Sequence, residues 1–156
     1  MRRTLALAIA ALAILALPAT ALAADTRIDY KNEHAGLLVP TGPSTWSVQD
    51  LDYKRIATVQ RSNAKRFDFL RDGKLVGSVR QTGGTRMWKV YKGDTKVIGS
   101  VRAASRKKAY AYYAGDDGDP VGLGEGTAAI PAAASVLFGF HGATGAPKHD
   151  HSKHRH

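Results

Sequence analysis

The pentapeptide Val76-Gly77-Ser78-Val79-Arg80 returns 22 residues later as Ile98-Gly99-Ser100-Val101-Arg102. A chain that echoes itself at such a period is built from copies of one supersecondary unit, and the unit must bury its apolar face against its neighbours. Stepping the same frame outward places aromatic residues at Trp46, Phe67, Trp88 and Tyr110, separated by 21, 21 and 22 residues. Small residues fall at the matching return positions, Ala57, Gly77, Gly99 and Gly122. Each unit therefore reads as an aromatic-led strand, a turn, and a second strand with a small residue in it.

Turn chemistry agrees with this reading. Arg71-Asp72-Gly73-Lys74, Lys92-Gly93-Asp94-Thr95 and Gly115-Asp116-Asp117-Gly118 carry the Asp-Gly or Gly-Asp pairs that supply positive φ in tight hairpins. The limbs Phe67-Asp68-Phe69, Trp88-Lys89-Val90-Tyr91 and Tyr110-Ala111-Tyr112-Tyr113 repeat bulky residues at i and i+2, on one face of a strand. The expected fold is all-β: a meander of four hairpins, about eight antiparallel strands, over residues 46–126, curved or partly closed into a barrel. The first unit is the least regular, as an end repeat that caps an array often is. Gly77 and Gly99 mark a bulge or close backbone crossing that curves the sheet, or else a place where a ligand meets the backbone.

In these features residues 46–124 resemble MORN repeats, with their aromatic-led strands, Gly-Lys turn and glycine on the return strand; Phe67 to Val79 is the nearest copy. Where a MORN unit has glycine between its aromatics, Asp68 and Lys89 stand here. The chain is also similar, more loosely, to tubby-like barrels, whose hairpins wrap a C-terminal apolar helix; Thr127 to Phe140 is the segment that corresponds. Both resemblances imply phospholipid or protein scaffolding rather than catalysis.

The ends of the chain give the expected address. Met1-Arg2-Arg3, an apolar run from Leu5 to Leu17, Pro18 and Ala21-Leu22-Ala23 have the form of a signal peptide over residues 1–23. The 13-residue run reaches about 20 Å as a helix, short of a bilayer core of roughly 30 Å. The mature protein is expected to start near Ala24, with residues 24–45 as a lead segment, and to work in a bacterial periplasm or outside the cell. The 156-residue chain contains no cysteine, which excludes disulfide scaffolds, thiol chemistry and Cys-ligated zinc. One domain's worth of chain remains.

Charge is unevenly distributed. Residues 54–108 hold 16 Lys and Arg against 3 Asp, a net of +13, between flanks that are mildly acidic. Arg80 and Arg102 are repeat equivalents and should project from one face, building a ladder of positive charge with Lys89, Lys107 and Lys108. Such a face concentrates anions, and the anions available outside the cytoplasm are lipid headgroups and the phosphates of envelope polymers. Basic side chains also keep edge strands from pairing with other molecules. Nucleic acid is disfavoured as a partner, because the aromatic anchors suit a core and secretion separates the protein from most of it.

Thr127 to Phe140 is apolar on every side and uncharged, the pattern of a short helix that is buried or touches lipid. Burial on the open face of the sheet is the expectation, with peripheral contact at a membrane surface as the alternative. Beyond it, residues 141–156 form a His-rich tail expected to be disordered, in which His149, His151, His154 and His156 have spacings able to chelate Zn(II), Ni(II) or Cu(II). His34 and His141 are the remaining histidines, and neither sits in a recognisable setting with a serine nucleophile or carboxylate pair. No catalytic residue and no resident cofactor is therefore assigned. The expected function is non-catalytic binding, by docking of the basic repeat face on an anionic envelope component. Metal binding through the tail is the alternative, and a third possibility is contact with another envelope protein.

Overall fold

The computed structural model describes residues 23–84, 86–115 and 118–140. The signal-peptide residues before Ala23, Asp116 and Asp117, and the tail with His141, His149, His151, His154 and His156 lie outside these. Ten strands follow one another: β1 (Thr26–Tyr30), β2 (Glu33–Gly42), β3 (Thr45–Gln49), β4 (Arg55–Asn63) and β5 (Arg66–Arg71), then β6 (Lys74–Gln81), β7 (Met87–Lys92), β8 (Lys96–Ala103), β9 (Ala109–Ala114) and β10 (Gly122–Glu125). Each pairs antiparallel with the next, and β1 pairs with β10, so the sheet closes on itself.

Residues 46–126 supply eight strands as expected, in four hairpins from β3 to β10. The lead segment proves structural. Residues 24–45 provide β1 and β2, and Ile28 opposite both Gly124 and Gly36 joins the last hairpin back to the first. Without them β3 and β10 would present unpaired backbone edges, and a meander of twisted strands removes its edges only by complete closure. The barrel is therefore closed where the sequence suggested a curved sheet or partial closure.

Alternation fixes which side chains face the lumen. Val48, Val59, Phe67, Phe69, Val79, Trp88, Val90, Val101 and Tyr112 belong to the buried core, the half-buried Trp46 packs against it, and their registers place them all on one face of the sheet. The four aromatic anchors all point inward near the same end, at which β3, β5, β7 and β9 begin. This end is the mouth of the barrel.

The lumen is filled by the C-terminal segment. From the mouth, α1 (Ala129–Ser135) and a 3-10 turn over Val136–Phe138 run inward, with Ala132, Ala133 and Ala134 fully buried. The Thr26 hydroxyl of β1 accepts the Ala128 N–H at 3.2 Å, so the strand that closes the barrel also holds the start of its plug. Glycines make room for it. A Cβ on Gly124 would lie 2.5 Å from the Ala133 nitrogen, and one on Gly122 would lie 2.6 Å from a Val136 methyl. Phe138 takes the corresponding space over Gly77, and the Tyr112 ring takes that over Gly99. Both glycines sit at register shifts, opposite Phe69 and Val90. Close packing and a bulge thus account for the two mid-strand glycines together. Phe138 and Phe140 finish the plug by packing on Phe69, with ring centroids at 4.7 and 6.3 Å.

Candidate functional site

The outward faces of the same strands are built on a different pattern. On β6 the Arg80 Nε donates to the Ser78 hydroxyl at 2.9 Å, and its guanidinium carbon lies 4.5 Å from the centre of the Tyr91 ring on β7. One repeat later the Arg102 Nε donates to Ser100 at 3.1 Å, and its guanidinium lies 4.8 Å from the Tyr113 ring on β9. Ser78 and Ser100 are buried beneath the arginine stems. Strand alternation explains the geometry: serine and arginine at i and i+2 share the outer face, and each tyrosine stands directly across from its serine. A guanidinium held this way, by one hydrogen bond and one ring face, loses rotational freedom.

The two units form part of a longer basic row. Arg66 on β5 stands opposite Arg80, and Arg80 stands opposite Lys89 on β7. Arg102 follows on β8, opposite Met87. Two carboxylates border the row: Asp68 accepts from Arg66 Nε at 2.7 Å and also from the Ser62 hydroxyl, and Asp94 lies 3.5 Å from Arg80. Lys89 is exposed and makes no ion pair among the described residues. Of the five cations expected to bind anions, Arg80, Lys89 and Arg102 thus share the outer wall. Lys107 and Lys108 do not join them, because they occupy the β8–β9 connection at the mouth, where Lys108 has a φ of 59°.

At that mouth a cavity of about 440 Å³ opens between the plug and one side of the lumen. Trp46, Phe67 and Tyr110 form its aromatic side. Ala128, Ile130 and Pro131, at the start of the plug, form the other. Arg61, the last inward-facing position of β4, and Lys108 stand at its rim. The aromatic side is one edge of an inward ladder, with Trp46–Phe67 and Phe67–Trp88 ring centroids at 5.9 and 5.7 Å. Trp88 Nε1 is buried with no acceptor among the described residues.

Sequence reasoning found Arg80, Arg102 and Lys89 but passed over Arg66, Arg61 and the two tyrosines. Tyr91 and Tyr113 were detectable, because they stand 22 residues apart in the same frame as the serine and arginine pairs. His34 is a half-exposed neighbour of Asp29, with Nδ1 at 3.9 Å from the carboxylate. Among the described residues, no group of three His, Cys, Asp or Glu side chains is placed to hold a metal ion, and no helix is long and apolar enough to cross a membrane.

No protein-family model, no curated protein and no solved structure matches the chain.

Proposed function

We propose that this is a non-catalytic binding protein of the bacterial periplasm or cell exterior that docks peripherally on an anionic envelope component through Arg66, Arg80, Lys89 and Arg102. The observation that carries the reading is the direct opposition of Arg66, Arg80 and Lys89 across three consecutive strands. Like charges in facing positions work against sheet stability, and a bound polyanion relieves that repulsion. Neighbouring strands lie about 4.8 Å apart, so the row presents cations at a spacing suited to several phosphates at once. The aromatic anchors do not favour nucleic acid, since Phe67 and Trp88 face the lumen and not the basic row. Nor does the outer wall suit insertion in a bilayer, because Asp68 and Lys89 occupy the middle of β5 and β7, where a membrane barrel has an apolar belt.

The test is co-sedimentation with phosphatidylglycerol and phosphatidylcholine vesicles across a salt series, with soluble polyphosphate as competitor. Binding to the anionic vesicles alone, lost as salt rises and weakened in an Arg80→Gln, Lys89→Gln variant, is the expected result. Displacement by polyphosphate would extend the ligand class to phosphate polymers. Equal sedimentation with both vesicle types, or insensitivity to salt, would overturn the reading.

A further inference from the structure

The mouth cavity is separate from the basic outer wall, and its composition specifies a different ligand. One side is aromatic and the other is the aliphatic start of the plug, so the interior favours an apolar body. The rim reverses this preference. Arg61 and Lys108 are both exposed, and neither makes an ion pair with a carboxylate among the described residues. Arg61 is held in place: its Nε and Nη2 donate to the carbonyl oxygens of Asn63 and Ala64 at 3.3 Å, and its guanidinium lies 5.6 Å from the centre of the Phe67 ring. The nearby acid, Glu125, faces the outer wall and is occupied by Arg106 at 2.8 Å. Two cations without a counter-charge thus overlook an apolar cavity of about 440 Å³, a volume in the range of small-molecule sites.

We propose that the mouth cavity binds a small amphipathic carboxylate. Its apolar body lies between Trp46 and Phe67 on one side and Ile130 and Pro131 on the other, and its carboxylate lies between Arg61 and Lys108. The fold has a physical reason to leave this space open. The plug is drawn towards β9, β10 and β1 by Gly122, Gly124 and Thr26, and its small alanine side chains do not reach across to the aromatic ladder at the mouth.

Decanoate and decanol, which share an apolar chain and differ in charge, test the site. Binding is read by calorimetry and by tryptophan fluorescence, since Trp46 lines the cavity. Decanoate should bind one to one and about ten-fold more tightly than decanol, the gain expected of two partly solvated charge contacts. Arg61→Gln with Lys108→Gln should remove that preference and leave decanol binding unchanged. Ile130→Trp should fill the cavity and abolish binding of both; if that variant fails to fold, the double variant at the exposed rim still decides. Arg80→Gln on the outer wall should leave decanoate affinity unaltered. Absence of decanoate binding, equal affinity for the two ligands, or a preference that survives loss of both rim charges would overturn the proposal. Loss of vesicle docking in the rim variant without any decanoate binding would assign Arg61 and Lys108 to a lipid surface and overturn it as well.

Discussion

The two faces of the barrel strands repeat in one frame of 21 or 22 residues for different physical reasons. On the inner face the period is steric. Aromatic anchors line the mouth, glycines admit the plug or a ring, and a side chain of the wrong size has nowhere to go. On the outer face it is electrostatic. Ser78, Arg80 and Tyr91 recur as Ser100, Arg102 and Tyr113 in a layer that touches only its neighbours and solvent. Stability should therefore reside in the first pattern and docking on an anionic surface in the second, and substitutions can be chosen to separate them.

The largest effect is expected deep in the plug. Phe140 is fully buried, packs on Phe69 and Phe138, and carries the Arg71 guanidinium 4.6 Å from its ring centre. Phe140→Ala should cost about 3–5 kcal/mol by urea denaturation, since it removes a large side chain from a closed lumen that cannot collapse around the gap. Gly124→Ala should follow at about 1–3 kcal/mol, because the new methyl would press on the backbone of Ala129 and Ala133 rather than on a movable side chain. Gly73→Ala is the contrast. Gly73 has a φ of 73° in the β5–β6 turn with open space around it, so only the conformational penalty of about 1 kcal/mol should appear. Equal losses at Gly73 and Gly124 would show that the plug does not use the space that Gly124 leaves.

These contrasts also explain what could be read before the structure was known. Periodicity of two, turn glycines and the pentapeptide echo identify β3 to β10, because each depends on local chemistry that a sequence displays. Closure was hidden. It rests on Ile28 meeting Gly36 and Gly124, a pairing between residues 96 positions apart that no local signal announces. The placement of Thr127 to Phe140 was half legible: its uniform apolarity requires burial, but a lumen to receive it exists only once the barrel closes. At the candidate sites, charge density pointed to Arg80, Lys89 and Arg102. The same density could not separate Lys107 and Lys108 from them, because strand ends and turns divide one basic stretch between a wall and a mouth.

Alkaline titration offers a further probe of the inner face. Burial pushes the Tyr112 phenol above its ordinary value, and in the unfolded chain the same group ionises near about 10. Below that pH both states hold the proton and stability is unaffected. As pH rises from there towards the folded-state value the unfolded state loses its proton first, so stability falls, by at most about 1.4 kcal/mol per pH unit for one group. Tyr112→Phe should remove this part of the alkaline loss in melting experiments. An alkaline slope in that variant equal to the parent protein's would contradict the assignment of the effect to the buried Tyr112.

The smallest expected change in stability is the one that most sharply separates fold from ligand. Lys89 is exposed, stands opposite Arg80 on one side and Ser100 on the other, and contributes nothing to the lumen. Lys89→Glu would replace a repulsive facing pair with an attractive one, and such cross-strand pairs are worth roughly 0.2–1 kcal/mol. The variant should therefore be slightly more stable in urea. Its docking on anionic vesicles should fall, because the row loses one positive charge and gains a negative one at its centre. Opposite signs in the two measurements are what a row kept for binding requires. A protein that became less stable while docking was unchanged would show instead that the basic row serves the sheet, with its cations held apart from any partner by Asp68, Asp94 and the two tyrosines.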